Sequence, residues 1–303
     1  MHKFHDNRLR YLAEAVRGGT MRAASENLNV APSSISRQIA HLEEELGVPL
    51  IERNRRRLKL TEAGEIALTY YREFTTQQEA FVSQMRDLKG LRGGTVRLAV
   101  GEALIGDLLL EVVQRFMLQY PEIRIFMRTA GTADVVAMVS EDEAHMGMVF
   151  QPEPDAKIRV RASSDQPLKV ILSPGHPLSK RSSLSIADLT EERLGVPESA
   201  FRIRQILGAA ESAEHIFLTP VLVSNSLLVL KEFARSGSGI TVLPSIAAHS
   251  EIASGILRAV PLINPALMHT SASVITRLGR QLPVAAVRLL QKIEATMPFL
   301  PAP

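Results

Sequence analysis

The sequence predicts two unlike halves: an N-terminal all-α winged helix-turn-helix continued by a long linker helix, and a C-terminal α/β region. Three observations carry this. A polar-faced helix of helix-turn-helix spacing spans Pro32 to Leu46, an uninterrupted helical stretch runs from Glu65 to Lys89, and beyond Gly94 short apolar strands alternate with helical segments.

In chain order, Asn7 to Arg17 sets Leu9, Leu12, Ala13 and Val16 on one helix face, as a scaffold helix would. Thr20 is placed to cap a short second helix with Met21, Ala24 and Leu28 inward, and Asn29-Val30 supplies a tight turn. Pro32 then suits a first helical turn, and Gly47 a left-handed end. Between them Ile35, Ile39, Leu42 and Leu46 form a buried stripe, leaving Ser33, Ser34, Arg37, Gln38 and His41 outward. Short apolar runs around Arg53, Arg55, Arg56, Arg57 and Lys59 read as a basic two-stranded wing.

The linker helix, of about 28 residues, is expected to extend about 42 Å. Ala63, Ala67, Tyr70, Phe74, Gln77, Phe81, Gln84 and Leu88 make a coiled-coil seam along it, which suits a second copy of the chain. Residues 90–94 are a glycine-rich hinge by composition. Strands are expected at 95–101, 124–129, 145–150, 168–173, 194–197, 220–223, 240–244 and 271–276, in largely parallel sheets. Helices are expected at 104–120, 132–141, 185–189, 202–213, 226–235, 244–254 and 284–297.

Composition narrows the function. Cysteine is absent, which excludes disulfides, thiolate metal sites and thiol redox sensing. No apolar run reaches spanning length and no signal-peptide core is seen, so a cytoplasmic protein without membrane contact is expected. Residues 1–64 hold eleven Lys and Arg against eight Asp and Glu, the whole net charge of +3. Such asymmetry fits one end meeting a polyanion. The eight histidines form no metal constellation, and no nucleophile motif, phosphate loop or carboxylate pair appears, so no enzyme and no cofactor are expected.

The series Gly19-Thr20, Ala24-Ser25, Leu28, Ser36-Arg37-Gln38-Ile39, Leu42-Glu43, Leu46-Gly47, Leu50, Arg53, Arg57, Leu60-Thr61 and Ala63-Gly64 closely resembles the DNA-binding domain of LysR-type transcriptional regulators. Pro32 stands where that family often has Gln, and Ile51 where it usually has Phe. Weaker similarity continues through Gly93–Ala99, Tyr120–Ile123, Gly175–Leu178 and Gly237–Pro244. The resemblance implies a winged DNA-binding domain at 1–64, a linker and dimerisation helix at 61–89, the hinge, and an effector domain at 95–303 like periplasmic solute-binding proteins. Its lobes would be 95–162 with 268–303, and 163–267, joined by two crossover strands around a cleft.

Arg37 and Gln38 suit guanine and adenine edges, with Ser33, Ser34 and His41 beside them. The wing arginines suit phosphate and minor groove; the resemblance makes Arg53 and Arg57 partly structural and favours Arg55 and Arg56 for DNA. In α/β sheets ligands sit where strand ends meet helix starts. The resemblance accordingly implies a small-molecule effector at Glu102, Thr132, Phe201, Arg202, Ser226 and Thr241. Glu102 stands where a small hydroxyl residue is common; it would disfavour an anionic effector unless Arg202 offsets it, so effector charge stays open. The implied partners are double-stranded promoter DNA, a second copy of the chain as homodimer or dimer-of-dimers tetramer, and RNA polymerase if the protein activates. The alternative is a sequence-tolerant architectural DNA-binding protein without effector response.

Overall fold

The computed structural model describes residues 6–52, 58–88 and 93–296, and the chain divides into two compact units, Met1–Phe81 and Val82–Pro303. In the first, α1 (Asp6–Gly18), α2 (Met21–Leu28) and α3 (Pro32–Leu46) bury Leu9, Leu12, Ala24, Ile35, Ile39 and Leu42 together. Thr20 Oγ1 accepts the Ala23 N–H at 3.1 Å, capping α2. Asn29 ends that helix at φ 53°, a left-handed geometry asparagine tolerates, and Gly47 ends α3 at φ 72°. The Arg8–Glu45 ion pair at 2.6 Å ties α1 to α3.

The wing closes through an Ile51–Leu60 antiparallel bridge and a bond from Glu52 N–H to the Lys59 carbonyl at 2.8 Å. Its tip, including Arg53, Arg55, Arg56 and Arg57, lies outside the described residues. Thr61 Oγ1 donates to the Pro49 carbonyl (2.6 Å) and accepts the Gly64 N–H (3.1 Å), so it welds the wing to the start of α4 (Glu62–Leu88).

The seam expected along α4 needs a correction at its start. Ala67 is buried in the core of the first unit with Ala63 packed against it, because the wing and α1–α3 claim that face first. The exposed apolar residues are Ile66, Tyr70, Phe81, Val82, Met85 and Leu88.

The second unit holds two five-stranded sheets. The first has order β2 (Ile123–Ala130), β1 (Gly94–Gly101), β3 (Met146–Phe150), β10 (Ser271–Arg277), β4 (Ile158–Asp165). Helices α5 (Asp107–Gln119) and α11 (Val284–Thr296) cover one face, and α6 (Thr132–Ser140) the other. The second has order β7 (Leu222–Ser224), β6 (Leu194–Pro197), β8 (Ile240–Pro244), β5 (Leu168–Leu172), β9 (Arg258–Pro261), with α7 (Arg202–Glu214) and α8 (Leu227–Arg235) as its crossovers. Two short helices, α9 (His249–Ala253) and α10 (Pro265–Met268), complete the second layer.

Largely parallel sheets were expected, and each sheet is mixed. In the first, β10 runs antiparallel to β3 and β4; in the second, β5 runs antiparallel to β8 and β9. The cause is the exchange of strands between layers: β4 leads into β5 and the chain returns on β10, and each inserts against the parallel direction. Strands β4 and β9 escaped the sequence reading because one is a charged edge strand with alternating exposure and the other has four residues. Of the helix expected at 185–189 only a 3-10 turn at Ala187–Leu189 forms. A 3-10 turn at Glu102–Leu104 delays the helix expected from 104 until after Gly106, and the stretch at 244–254 splits into a 3-10 turn, Ser245–Ala248, and α9. Strand β4 bonds to β10 as far as Asp165, beyond the lobe edge expected at 162, and Gly94 of the expected hinge is the first residue of β1.

A Cβ on Gly64 would lie 2.1 Å from the Leu50 carbonyl oxygen, a backbone atom that cannot step aside. Gly64→Ala should therefore destabilise the first unit by about 3 kcal/mol, whereas Gly47→Ala, open in space but left-handed, should cost about 1 kcal/mol. Urea unfolding followed by circular dichroism measures both; equal costs would refute the steric account.

Candidate functional site

The exposed face of α3 is a by-product of its buried one. With Ile35, Ile39 and Leu42 at 0–2 % exposure, the intervening Ser33, Ser34, Arg37 and His41 are exposed and Gln38 is half-buried. His41 Nδ1 lies 3.6 Å from Glu44 Oε2, an ion pair only when protonated. The N-cap Ala31 offers no side-chain bond, so the positive end of the helix dipole is open to an anion such as phosphate. Sequence reasoning missed Glu43. Its Oε1 accepts the N–H groups of Leu50 (2.7 Å) and Ile51 (3.1 Å), which fixes the wing's first strand to the recognition helix.

In the second unit the six candidate effector residues fall into separate groups. Thr132 and Arg202 line a cavity of about 380 Å³ with Glu153, Asp155 and Gln205, at the amino ends of α6 and α7. Thr132 Oγ1 donates to the Phe150 carbonyl at 3.2 Å. Arg202 donates from Nε to the Gln151 carbonyl (3.0 Å) and from Nη1 to Glu153 Oε1 (2.9 Å), binding second-sheet α7 to the loop after β3. Phe201, half-buried against the second sheet's core, is the N-cap of α7.

Glu102 faces another helix. Its Oε1 accepts the Leu227 N–H at 2.8 Å and the Ser226 hydroxyl at 3.4 Å, capping α8 from the opposite sheet. Compensation of Glu102 by Arg202, left open by the sequence, is not built by the structure. The carboxylate is spent on a helix amino end and the guanidinium on Glu153.

Thr241 lies apart from both, wholly buried on β8 with its Oγ1 lacking a hydrogen-bond partner among the described residues. Beside it the structure places Lys169, which sequence reasoning passed over. It is 8 % exposed, and burial pushes its ammonium below the ordinary 10.5. The signal was present: a single cation interrupts the apolar run Leu168–Leu172.

Residues 7–65 match the model described as "Bacterial regulatory helix-turn-helix protein, lysR family", and residues 89–298 match "LysR substrate binding domain". The chain belongs to the LysR family. LysR-family proteins are DNA-binding transcription regulators with an effector-binding domain, and the second unit has the periplasmic-binding-like fold of that domain. The probable RuBisCO transcriptional regulator of a Synechocystis strain is 27% identical over 264 residues, covering 85% of this chain and 76% of that one. A full-length OxyR variant from Pseudomonas aeruginosa superposes with a TM-score of 0.68 at 19% identity, over 98% of this chain and 95% of that chain. The CcmR regulatory domain of Synechocystis PCC6803, solved in complex with 2-PG, matches 69% of this chain and 100% of its own with a TM-score of 0.61 at 22% identity. Among the described residues, no helix of this LysR-family chain is long and apolar enough to cross a membrane.

The buried Lys169 has a measurable cost. Because its folded-state pKa is depressed, the penalty for burying the cation is fully present below that pKa and is relieved as pH rises towards 10.5. Lys169→Met should raise the melting temperature at neutral pH, with the advantage shrinking as pH approaches 10. Calorimetry across that range tests it; a variant less stable at neutral pH would show that the lysine is a structural support.

Proposed function

We propose that this LysR-family regulator reads DNA with Ser33, Ser34, Arg37, Gln38 and His41 of α3, assisted by Arg53, Arg55, Arg56 and Arg57 of the wing. The observation that carries this reading is the exposed polar face of α3, held outward by a fully buried stripe and stapled to the wing by Glu43. Arg37 and Gln38 take base edges, while the open amino end of α3 and the wing take phosphate.

The effector site is the region between the two sheets of the second unit, bordered by Glu102, Thr132, Phe201, Arg202, Ser226 and Thr241. The cavity at Thr132 and Arg202 supports this, as does the fold shared with the CcmR domain that binds 2-PG. A ligand there alters the angle between sheets by its differential affinity for two arrangements. No catalytic role is assigned to any residue, and the protein acts in the cytoplasm. Its partner is a second copy, joined along the exposed apolar stripe Ile66, Tyr70, Phe81, Met85 and Leu88 and assembling further as a dimer of dimers, with RNA polymerase as partner if it activates.

Retardation of the promoter DNA flanking its own coding sequence should show a complex that survives moderate salt and is lost in Arg37→Ala, a loss of about 1–3 kcal/mol in discrimination. Equal binding to unrelated DNA, collapsing with salt alike in both proteins, would defeat the base-reading assignment. Sedimentation should show Phe81→Arg dissociating the pair to monomers; an unchanged dimer would remove the α4 stripe as its interface.

A further inference from the structure

The end of α4 is tied to the amino end of α11. Helix α11 begins after Pro283, whose carbonyl accepts the Val287 N–H at 3.0 Å and whose ring offers no side-chain acceptor. The first N–H groups of a helix have no partner within it, and a Ser, Thr, Asp or Asn just before the helix usually supplies one. Here the acceptor comes from another element. Ser83 Oγ of α4 takes the Val284 N–H at 3.0 Å, across 201 positions of sequence, and both residues belong to the second unit. A Cβ on Gly94, the first residue of β1, would lie 3.1 Å from Ala285 Cβ, so the chain entering the sheet packs on the same turn of α11.

Ser83 lies opposite the exposed apolar stripe of α4. At about 100° per residue it stands about 200° around the helix from Phe81, and as far from Met85. Thr76 and Ala80, on the side of Ser83, are buried, whereas Phe81 and Met85 are exposed. Helix α11 is in turn rooted in the first sheet. Ala286, Leu289 and Ile293 are buried with Val96 and Leu98 of β1, and Glu294 meets Arg161 of β4 at 2.8 Å. Strand β4 is the one that leads into β5 and the second sheet. A continuous path thus runs from a crossover strand, through the Arg161–Glu294 pair and the body of α11, to Ser83.

A hydroxyl that completes the amino end of another helix does two things at once: it satisfies an orphan donor and it joins two elements. We propose that Ser83 is a positioning residue that couples the linker helix to the first sheet, so that α11 sets the direction of α4 and a movement of that sheet is carried into it. The stretch 90–94 reads as a hinge by composition, and this tie bridges it. With the bond made, α4 follows α11; with it broken, the glycine-rich chain is left to direct the helix. Because the tie uses the face opposite Phe81 and Met85, it leaves the apolar stripe open to a second copy. It requires neither a ligand nor DNA.

The test is amide hydrogen exchange of the full chain under native conditions, with Ser83→Ala and Ser83→Thr, joined to limited trypsin cleavage after Lys89 and Arg92. Loss of the hydroxyl should speed exchange about fivefold both at residues 284–287 of α11 and at residues 85–88 of α4. Cleavage after Lys89 and Arg92 should quicken by about the same factor, while cleavage after Lys157 stays as in the parent. Ser83→Thr, which keeps the hydroxyl, should behave as the parent. Faster exchange confined to α11 would make Ser83 a helix cap and no more, which overturns the proposal. So do unchanged exchange in both helices, a threonine variant as fast as the alanine one, or equal acceleration after Lys157, the mark of general loosening. Transmission is read by a double-mutant cycle. Arg161→Ala should speed exchange at residues 85–88 about twofold in the parent and add nothing in Ser83→Ala. An equal increment in both backgrounds, or none in the parent, removes the path through α11 and the coupling with it.

Discussion

The two sheets of the second unit are joined by two strands that run side by side, and their pairing is the constraint on which the rest of that unit depends. At the crossing the Gln166 N–H donates to the Thr270 carbonyl at 2.8 Å, and Thr270 Oγ1 donates back to the Gln166 carbonyl at 2.7 Å, all of it buried. Paired strands resist stretching and shear, since either would break buried hydrogen bonds, but they bend and twist at little cost. What remains free is the angle between the sheets. Contacts between the sheets include Glu102 on the amino end of α8, Arg202 on the loop after β3, the packing of the two 3-10 turns, and Phe150 buried in the second sheet's core.

The recognition helix and the linker were legible because their burial patterns are local. Ile35, Ile39 and Leu42 declare one face of α3 by spacing alone, and Asn29 and Gly47 mark its limits by backbone chemistry. The strands of the α/β half were visible as apolar runs, yet their directions were not, because the antiparallel insertion of β5 and β10 is decided by which sheet the chain crosses into. The 3-10 turns at Glu102 and Ser245 were invisible for a related reason: they exist to bring two sheets into contact, a tertiary demand without local periodicity.

The sequence offered candidate residues for the site without their partners. Whether Arg202 would offset Glu102 stayed open, since nothing in a sequence tells which of several strand ends faces which helix start. The structure separates them and gives each its own counterpart. Lys169 was overlooked because a strand is judged by its apolar majority. In a five-residue strand whose every member is buried, the exception carried the information.

The close approach of Gly64 to Leu50 has a consequence for DNA geometry. Because the first turn of α4 touches the wing through backbone atoms, and the wing is held to α3 by Glu43, recognition helix, wing and linker move as one lever with no swivel between them. In a pair of chains joined along α4, helical phase becomes the variable. Inserting one base pair between half-sites turns one major groove by about 35° relative to the other, and a lever without a joint has no means of following it.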